Sequence, residues 1–229
     1  MIFPLSEYAL TVRFSDEMNE EVNDNAHQFA RWLEKQSIKG IVEVVPTFSS
    51  VTIYYDPLVL GTYEQVRNQT KRWLEQMEET IQPKARTIVI PVCYGGEFGP
   101  DLPEVARYHG ISEEEVVRLH AEARYKVYMI GFAPGFAYLG GLPLELATPR
   151  RATPRRVVPA GSVGIAGGQT GIYPLATPGG WQIIGRTPLS LFRPTHRQPS
   201  LLCAGDIVRF RPMTEKEYRM WKNDDGSCR

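Results

Sequence analysis

Cysteine is scarce in this chain: Cys93, Cys203 and Cys228 are the only three among 229 residues, and they stand far apart. An odd and widely spaced set does not form a disulfide framework, and it lacks the paired spacing of a zinc site. Long apolar runs are absent as well, because no stretch approaches the roughly 18 residues that a membrane helix needs. The first residues, MIFPLSEYAL, also lack the basic and apolar segments of a signal peptide. We therefore expect a soluble protein of the cytoplasm.

An excess of charge of either sign is also missing, since 26 Lys and Arg balance 26 Asp and Glu. No overall field favours nucleic acid or a membrane surface as a partner. The stretch Leu102–His120 has the outline of a helix-turn-helix with Gly110 at the turn, but its second helix would begin with the glutamates Glu113–Glu115. Carboxylates at that position repel DNA phosphates. The stretch therefore predicts two ordinary helices, Leu102–His109 and Glu113–Glu122, and no nucleic-acid partner.

Residues 1–85 contain only two glycines and four prolines, whereas the rest of the chain contains 18 glycines and 14 prolines. Charge divides at the same place, because residues 1–85 hold eight Lys and Arg against 13 Asp and Glu, and the remainder carries the opposite net charge. Such a shift in composition indicates a domain boundary. We predict one domain at 1–85 and a second at 86–229.

Alternating and helical apolar periods in the first domain predict the order βαββαβ, which is the ferredoxin-like pattern. The predicted strands are Tyr8–Phe14, 41–48, 50–56 and Thr87–Val92, and the predicted helices are Val22–Leu33 and Tyr63–Ile81. Beyond Val127, short β-rich runs are divided by glycine and proline at close intervals, which favours a β-barrel or sandwich.

Chemistry-bearing residues are few in the second domain. Glu145 is the only carboxylate from Ala123 to Gly205, and no lysine lies between Lys126 and Lys216. This composition disfavours general acid–base hydrolysis by the chain alone, and it excludes a lysine-dependent phosphate loop in the glycine-rich region. The four histidines show no metal-ligand spacing, so no metal site is predicted and the catalytic residues stay unassigned.

A binding cleft is the better prediction for this domain. Aromatic residues alternate with glycine in Gly131–Leu142, four arginines crowd Thr148–Arg156, and Ala160–Trp181 holds seven glycines and no charge. Apolar walls with a few polar groups suit a small ligand, and arginines suit an anionic one. In the alternative interpretation the aromatics are core, the glycines are corners and the arginines are a solvated face. The candidate substrate- or phosphate-binding residues are Arg150, Arg151, Arg155, Ser162, Gln169, Thr170, Tyr173 and Thr177. The candidate cleft-lining residues are His120, Phe132, Gly135, Phe136, Tyr138, Gly179, Gly180 and Trp181.

Three segments, Pro91–His120, Gly131–Leu142 and Thr148–Phe192, resemble the B subunit of bacterial ATP-dependent 5-oxoprolinase. The same family includes proteins described as allophanate hydrolase subunit 1 and as a Kip-type inhibitor of a sporulation histidine kinase. The resemblance implies a ferredoxin-like domain followed by a cyclophilin-like β-barrel. It also implies two partners, a C subunit with a related barrel and an A subunit.

The implied reaction is the opening of 5-oxoproline to L-glutamate with ATP hydrolysis, with ATP and Mg²⁺ bound by the complex and no recognisable nucleotide motif in this chain. On this basis Arg150, Arg151 or Arg155 is expected to hold an anionic substrate or phosphoryl group. Two other roles stay open. One is an inhibitor that binds a sensor histidine kinase, and the other is a carboxyltransferase-like part of a biotin-dependent urea enzyme.

Overall fold

The structure, a computed structural model, describes residues 1–17, 19–77 and 85–223 of the chain. The chain divides into two units, Met1–Lys84 and Ala85–Arg229. No helix in these described ranges is both long and apolar enough to cross a membrane. The fold as a whole mixes helices with antiparallel and barrel-forming strands.

The first unit is a four-stranded antiparallel sheet with helices, in the sheet order β1-β2-β4-β3. Its elements are β1 (Ile2–Ser6), β2 (Ala9–Arg13), α1 (Glu20–Gln36), β3 (Ile41–Pro46), β4 (Ser50–Tyr55), α2 (Pro57–Leu60) and α3 (Tyr63–Gln76). The alternation in β4 buries Val51, Ile53 and Tyr55 against Phe29 and Leu33 of α1, as its period-2 pattern predicts. The Asn19 side chain accepts a hydrogen bond from the Val22 N–H and so caps α1.

The predicted closing strand Thr87–Val92 is not part of this sheet. Its place beside β2 is taken by β1, which the sequence pattern did not indicate and which pairs Ile2 with Val12. A hairpin to the adjacent strand closes only a short loop, so it costs little chain entropy. Of the predicted second helix, Tyr63–Gln76 is helical, whereas Ile81 lies outside the described residues.

The second unit is built around a closed barrel of seven strands in the order β10-β7-β6-β13-β5-β12-β9. Its elements are β5 (Thr87–Tyr94), α4 (Leu102–His109), α5 (Glu113–Glu122), β6 (Tyr125–Ile130), β7 (Ala137–Gly140), β8 (Arg155–Val158), β9 (Ser162–Ala166), β10 (Gln169–Ile172), β11 (Thr177–Gly179), β12 (Gln182–Arg186), β13 (Ile207–Pro212) and α6 (Glu215–Asn223). Both helices predicted for Leu102–His120 have the expected bounds. Strands β8 and β11 pair only with each other among the described strands, outside the barrel.

Strand β5 belongs to this barrel because both of its edges are paired there. It runs parallel to β13 from Thr87 to Val92 and antiparallel to β12 at Cys93 and Tyr94. Ile90 and Val92 are fully buried in the barrel core. The apolar run that suggested the last strand of the first domain is therefore the first strand of the second.

Candidate functional site

An aromatic pocket of about 270 Å³ lies beside the β8–β11 pair. The Phe136 ring is the central part of its wall. It makes edge-to-face contacts with the rings of Tyr138, Tyr173 and Trp181 at centroid distances of 4.8, 5.2 and 5.5 Å. Such T-shaped contacts are favourable, so the walls of the pocket hold one another in place. The pocket is lined by Phe132, Phe136, Tyr138, Arg150, Pro154, Tyr173, Pro178, Gly179, Gly180 and Trp181, and we call it the aromatic pocket.

The glycines around the aromatic pocket allow the rings to approach the barrel backbone closely. A Cβ atom on Gly171 would lie 2.9 Å from the indole Cζ3 of Trp181, which is closer than real side chains permit. Trp181 therefore rests directly on strand β10, and it is 5 % exposed. At the mouth, Phe132 has a left-handed φ of 69° and is 65 % exposed. A bulky residue in that region is unusual and marks a constrained loop.

Arg150 is the one charged residue among the residues that line the aromatic pocket. Burial raises the pKa of both Tyr138 and Tyr173 above the ordinary value, and the positive charge of Arg150 opposes that rise in each. The charge of Arg150 therefore acts on both phenol groups. The Trp181 backbone also opposes the rise in the pKa of Tyr173, and the Tyr173 hydroxyl has a proton that it can donate. Together these groups offer an anion one cation and one hydroxyl donor against apolar walls.

Arg151 and Arg155 are engaged by a residue that the sequence analysis did not single out as a site residue, Asp101. The Asp101 carboxylate accepts from Arg151 Nη1 at 2.7 Å and from Arg155 Nη1 and Nη2, both at 2.8 Å. It also accepts from the Ile183 backbone N–H at 2.7 Å, and Asp101 is 3 % exposed. Neither arginine lines the aromatic pocket. The sequence signal was present, since Asp101 is the last aspartate before Asp206 and precedes α4 as its N-cap.

The segment 149–154 separates the aromatic pocket from a larger and more open cleft of about 690 Å³. Arg150 lines both cavities, whereas Arg151 lines only the larger one. Two hydrogen bonds fix the backbone of this segment. The Arg151 N–H donates to Gly180 O, just before β12, and the side-chain amide of Gln182 in β12 donates to Pro149 O. The arginine-rich segment is thus a fixed wall between the two cavities.

Three predicted site residues lie in the barrel interior instead of the cleft. His120 is fully buried, with Nδ1 2.8 Å from the Tyr94 hydroxyl and Nε2 3.0 Å from the Thr170 hydroxyl. Thr170 is also fully buried and donates to Gly164 O. Ser162 is buried too, and its hydroxyl has no hydrogen-bond partner among the described residues. These three side chains cannot touch a ligand in the cleft, because the barrel wall covers them.

Most of the other predicted site residues line the aromatic pocket, and three of them do not. Phe132, Phe136, Tyr138, Tyr173, Gly179, Gly180 and Trp181 line the aromatic pocket. Gly135 is buried against Phe192, and Gln169 and Thr177 are half-buried at the starts of β10 and β11 without lining the pocket. No group of three or more His, Cys, Asp or Glu in the described ranges could hold a metal ion.

Comparison with known proteins places this chain among named relatives. The family model described as "Carboxyltransferase domain, subdomain C and D" matches residues 1–202. The chain is 47 % identical to the 5-oxoprolinase B subunit of Bacillus subtilis (strain 168), over 97 % of this chain and 96 % of that protein. It is 52 % identical to the 5-oxoprolinase B subunit of Escherichia coli O157:H7, over 77 % of this chain and 80 % of that protein.

Among solved structures, the crystal structure of TTHA0988 matches with a TM-score of 0.78 and 38 % sequence identity. The match covers 93 % of this chain but only 40 % of TTHA0988. The fold described above therefore occurs there as less than half of a longer chain.

Proposed function

The chain belongs to the family of carboxyltransferase domains, subdomains C and D, and from that premise we propose that it is the B subunit of a 5-oxoprolinase complex. This complex opens 5-oxoproline to L-glutamate with ATP hydrolysis. Two relatives at 47 % and 52 % identity are B subunits of 5-oxoprolinase by name, and the first matches over nearly the full length of both chains.

The aromatic pocket with Arg150 at its wall is the observation that carries the proposal for this chain's own part. 5-Oxoproline is a small five-membered ring with one carboxylate, so it offers apolar ring faces and one negative charge. Its ring packs against Phe136 and Trp181, and its carboxylate pairs with the Arg150 guanidinium. The Tyr173 hydroxyl donates to a ligand oxygen. A pocket of apolar walls with a few oriented polar groups is the usual form of a small-molecule site.

Nucleotide chemistry has no fitting group in this pocket. Mg²⁺ bound with ATP is held by one or two carboxylates together with phosphate oxygens, and none of the residues that line the aromatic pocket is an Asp or a Glu. No step through ATP is therefore assigned to this chain. The chain binds and orients the lactam, and partner subunits supply the ATP site and the residues that activate water.

The partners we propose are the A and C subunits of 5-oxoprolinase. The lettered subunit names of the relatives support a multi-subunit enzyme, and so does TTHA0988, in which a chain like this one is 40 % of the whole. We also propose that the first unit is a variant of the ferredoxin-like fold and that the seven-stranded barrel is cyclophilin-like. The kinase-inhibitor role stays a prediction.

The proposal is tested by purifying the chain with its partners from the native host and measuring glutamate formed from 5-oxoproline and ATP. We expect Arg150→Ala to raise KM for 5-oxoproline by about 10- to 100-fold, because a hydrogen-bonded charge pair contributes about 1.5–3 kcal/mol. Arg150→Lys should recover part of the loss, since it keeps the charge without the planar fork. Arg156→Ala is the matched control, because Arg156 is an exposed arginine of β8 that does not line the pocket.

Two results would contradict the proposal. A purified complex that makes no glutamate would overturn the assigned reaction. An active complex in which Arg150→Ala leaves KM unchanged would keep the reaction but remove the aromatic pocket as the lactam site.

A further inference from the structure

The three arginines of the segment 149–155 are not equivalent, and Asp101 makes the difference. Four hydrogen bonds hold its carboxylate below the surface, three from Arg151 and Arg155 and one from the Ile183 backbone. A buried carboxylate is stable only when it is paired in this way. Arg150 has no carboxylate partner in the part of the chain that the structure describes, and it is exposed. Of the three guanidiniums, only Arg150 therefore faces the aromatic pocket.

Arg155 is close enough to the aromatic pocket for its charge to act on a ligand there if its pair with Asp101 were broken. Its positive charge already reaches the Tyr173 hydroxyl at the pocket wall. Its side chain is one-quarter exposed, and its contacts with Asp101 are all side-chain hydrogen bonds. Loss of the Asp101 charge would thus free a second guanidinium beside the first.

We propose that Asp101 is a positioning residue that sets the ligand selectivity of the aromatic pocket, by holding Arg151 and Arg155 away so that the pocket presents a single guanidinium. This inference rests on the proposed function. A pocket with one cation and aromatic walls binds a compact cyclic monoanion, such as 5-oxoproline. The opened product carries a second carboxylate and an ammonium group, which would lose water against apolar rings without a partner. The pocket therefore binds the substrate and releases the product.

Asp101→Asn tests the proposal, because it keeps the shape of the side chain and removes the charge. In the assembled complex we would measure KM for 5-oxoproline and the inhibition constant of glutarate, a linear dianion with the carbon chain of the product. We expect Asp101→Asn to lower the ratio of the inhibition constant of glutarate to the KM for 5-oxoproline at least tenfold. Adding Arg155→Ala to Asp101→Asn should restore most of the original ratio, because it removes the released guanidinium.

The barrel offers a matched control at Asp206. This residue is 4 % exposed, accepts from Arg86 Nε at 2.9 Å and Nη2 at 2.6 Å, and accepts from the Cys203 backbone N–H at 2.7 Å. Asp206→Asn therefore breaks the same kind of buried pair without touching the pocket. We expect it to leave the ratio of the two constants within about twofold of the wild-type value.

Equal changes of both constants in Asp101→Asn and Asp206→Asn would show that Asp101 is only structural and would overturn the proposal. If Asp101→Asn does not fold, Arg155→Ala alone decides, because Asp101 stays paired with Arg151. A KM for 5-oxoproline within about twofold of wild type supports the proposal, whereas a tenfold rise shows that Arg155 touches the ligand and refutes it. A wild-type complex without glutamate formation refutes the proposed function instead, and the two failures are therefore distinct.

Discussion

At the scale of single residues, His120 shows how a titratable group can be part of the core. The Thr170 hydroxyl donates to Gly164 O, so it accepts from the His120 Nε2–H, and Nδ1 accepts from the Tyr94 hydroxyl. The imidazole is also stacked on Phe210 at a centroid distance of 4.5 Å. Both ring nitrogens are thus satisfied in the neutral form. Burial lowers the pKa of His120 from 6.5 to about 3.

Acid should therefore destabilise the barrel through His120. The unfolded chain takes up a proton at His120 below about pH 6.5, whereas the folded chain does so only near pH 3. The contribution of His120 to the free energy of unfolding is therefore complete above pH 6.5 and is lost as the pH falls from 6.5 to about 3. Between pH 7 and pH 5 the expected loss is about 2 kcal/mol. His120→Gln keeps one donor and one acceptor without titrating. Urea unfolding at both pH values should show a smaller pH dependence in His120→Gln by about that amount.

His196→Gln is the control for this measurement, because His196 lies on an exposed loop. It should have the pH dependence of the wild type, because it leaves the buried His120 ring and its hydrogen bonds to Tyr94 and Thr170 in place. Equal pH dependence in His120→Gln and the wild type would show that His120 is not held neutral by the fold.

At the residue scale, the sequence identified the arginine-rich segment but not the carboxylate with which its side chains pair. The number and spacing of the arginines in Thr148–Arg156 predicted an anion-binding set, and this stays a prediction. Two of them, Arg151 and Arg155, pair with Asp101, which lies 50 residues from Arg151 along the chain. An aspartate directly before a helix is first interpreted as an N-cap, yet here its side chain makes no cap hydrogen bond. Contacts over such separations are set by the barrel topology and leave no local pattern.

At the scale of elements, the aromatic pocket depends on a very short strand, β11. Its last residue, Gly179, passes so close to Tyr173 that a Cβ atom there would lie 2.9 Å from the ring carbon Cε1 and closer still to the hydroxyl oxygen. The glycine is therefore required by close approach. In the glycine-rich segment, bare backbone lets aromatic rings lie against the strands.

Gly179→Ala should displace the Tyr173 ring and weaken 5-oxoproline binding by about tenfold, while lowering stability by about 1–3 kcal/mol as overpacking does. Isothermal titration calorimetry on the purified complex would measure the binding, and urea unfolding the stability. Gly168→Ala is the control, because a Cβ atom on Gly168 meets nothing within 4 Å. Binding by Gly179→Ala as tight as that of Gly168→Ala would show that Tyr173 does not shape the site.

Elements with strong local signals were predictable, and those defined by distant pairing were not. The helices α4 and α5 have their predicted bounds because Gly110 ends the first and Ser112 caps the second. Strand β1 was missed because Pro4 and the exposed Leu5 interrupt its alternation. Strand β5 was recognised as a strand but assigned to the wrong sheet, since its partners β12 and β13 lie about 90 and 120 residues later.

At the scale of the whole molecule, the position of β5 decides where the chain can be divided. The sheet of the first unit is complete without Thr87–Val92, whereas the barrel needs this strand between β12 and β13. Arg86 adds a two-point pair to Asp206 just before the strand begins. Every residue that lines the aromatic pocket comes from the second unit.

A fragment of residues 85–229 should therefore fold alone and bind 5-oxoproline with an affinity within about threefold of that of the full chain. A fragment of residues 95–229 should lose the near-ultraviolet circular dichroism of packed aromatic rings, because removing β5 opens the barrel and uncovers a row of unpaired backbone groups. The two fragments test two alternative domain boundaries. One boundary lies near residue 85, where the composition changes, and the other lies after the apolar run that forms β5. An 85–229 fragment that fails to fold would show that the barrel depends on the first unit, and a folded 95–229 fragment would show that β5 is dispensable for barrel closure.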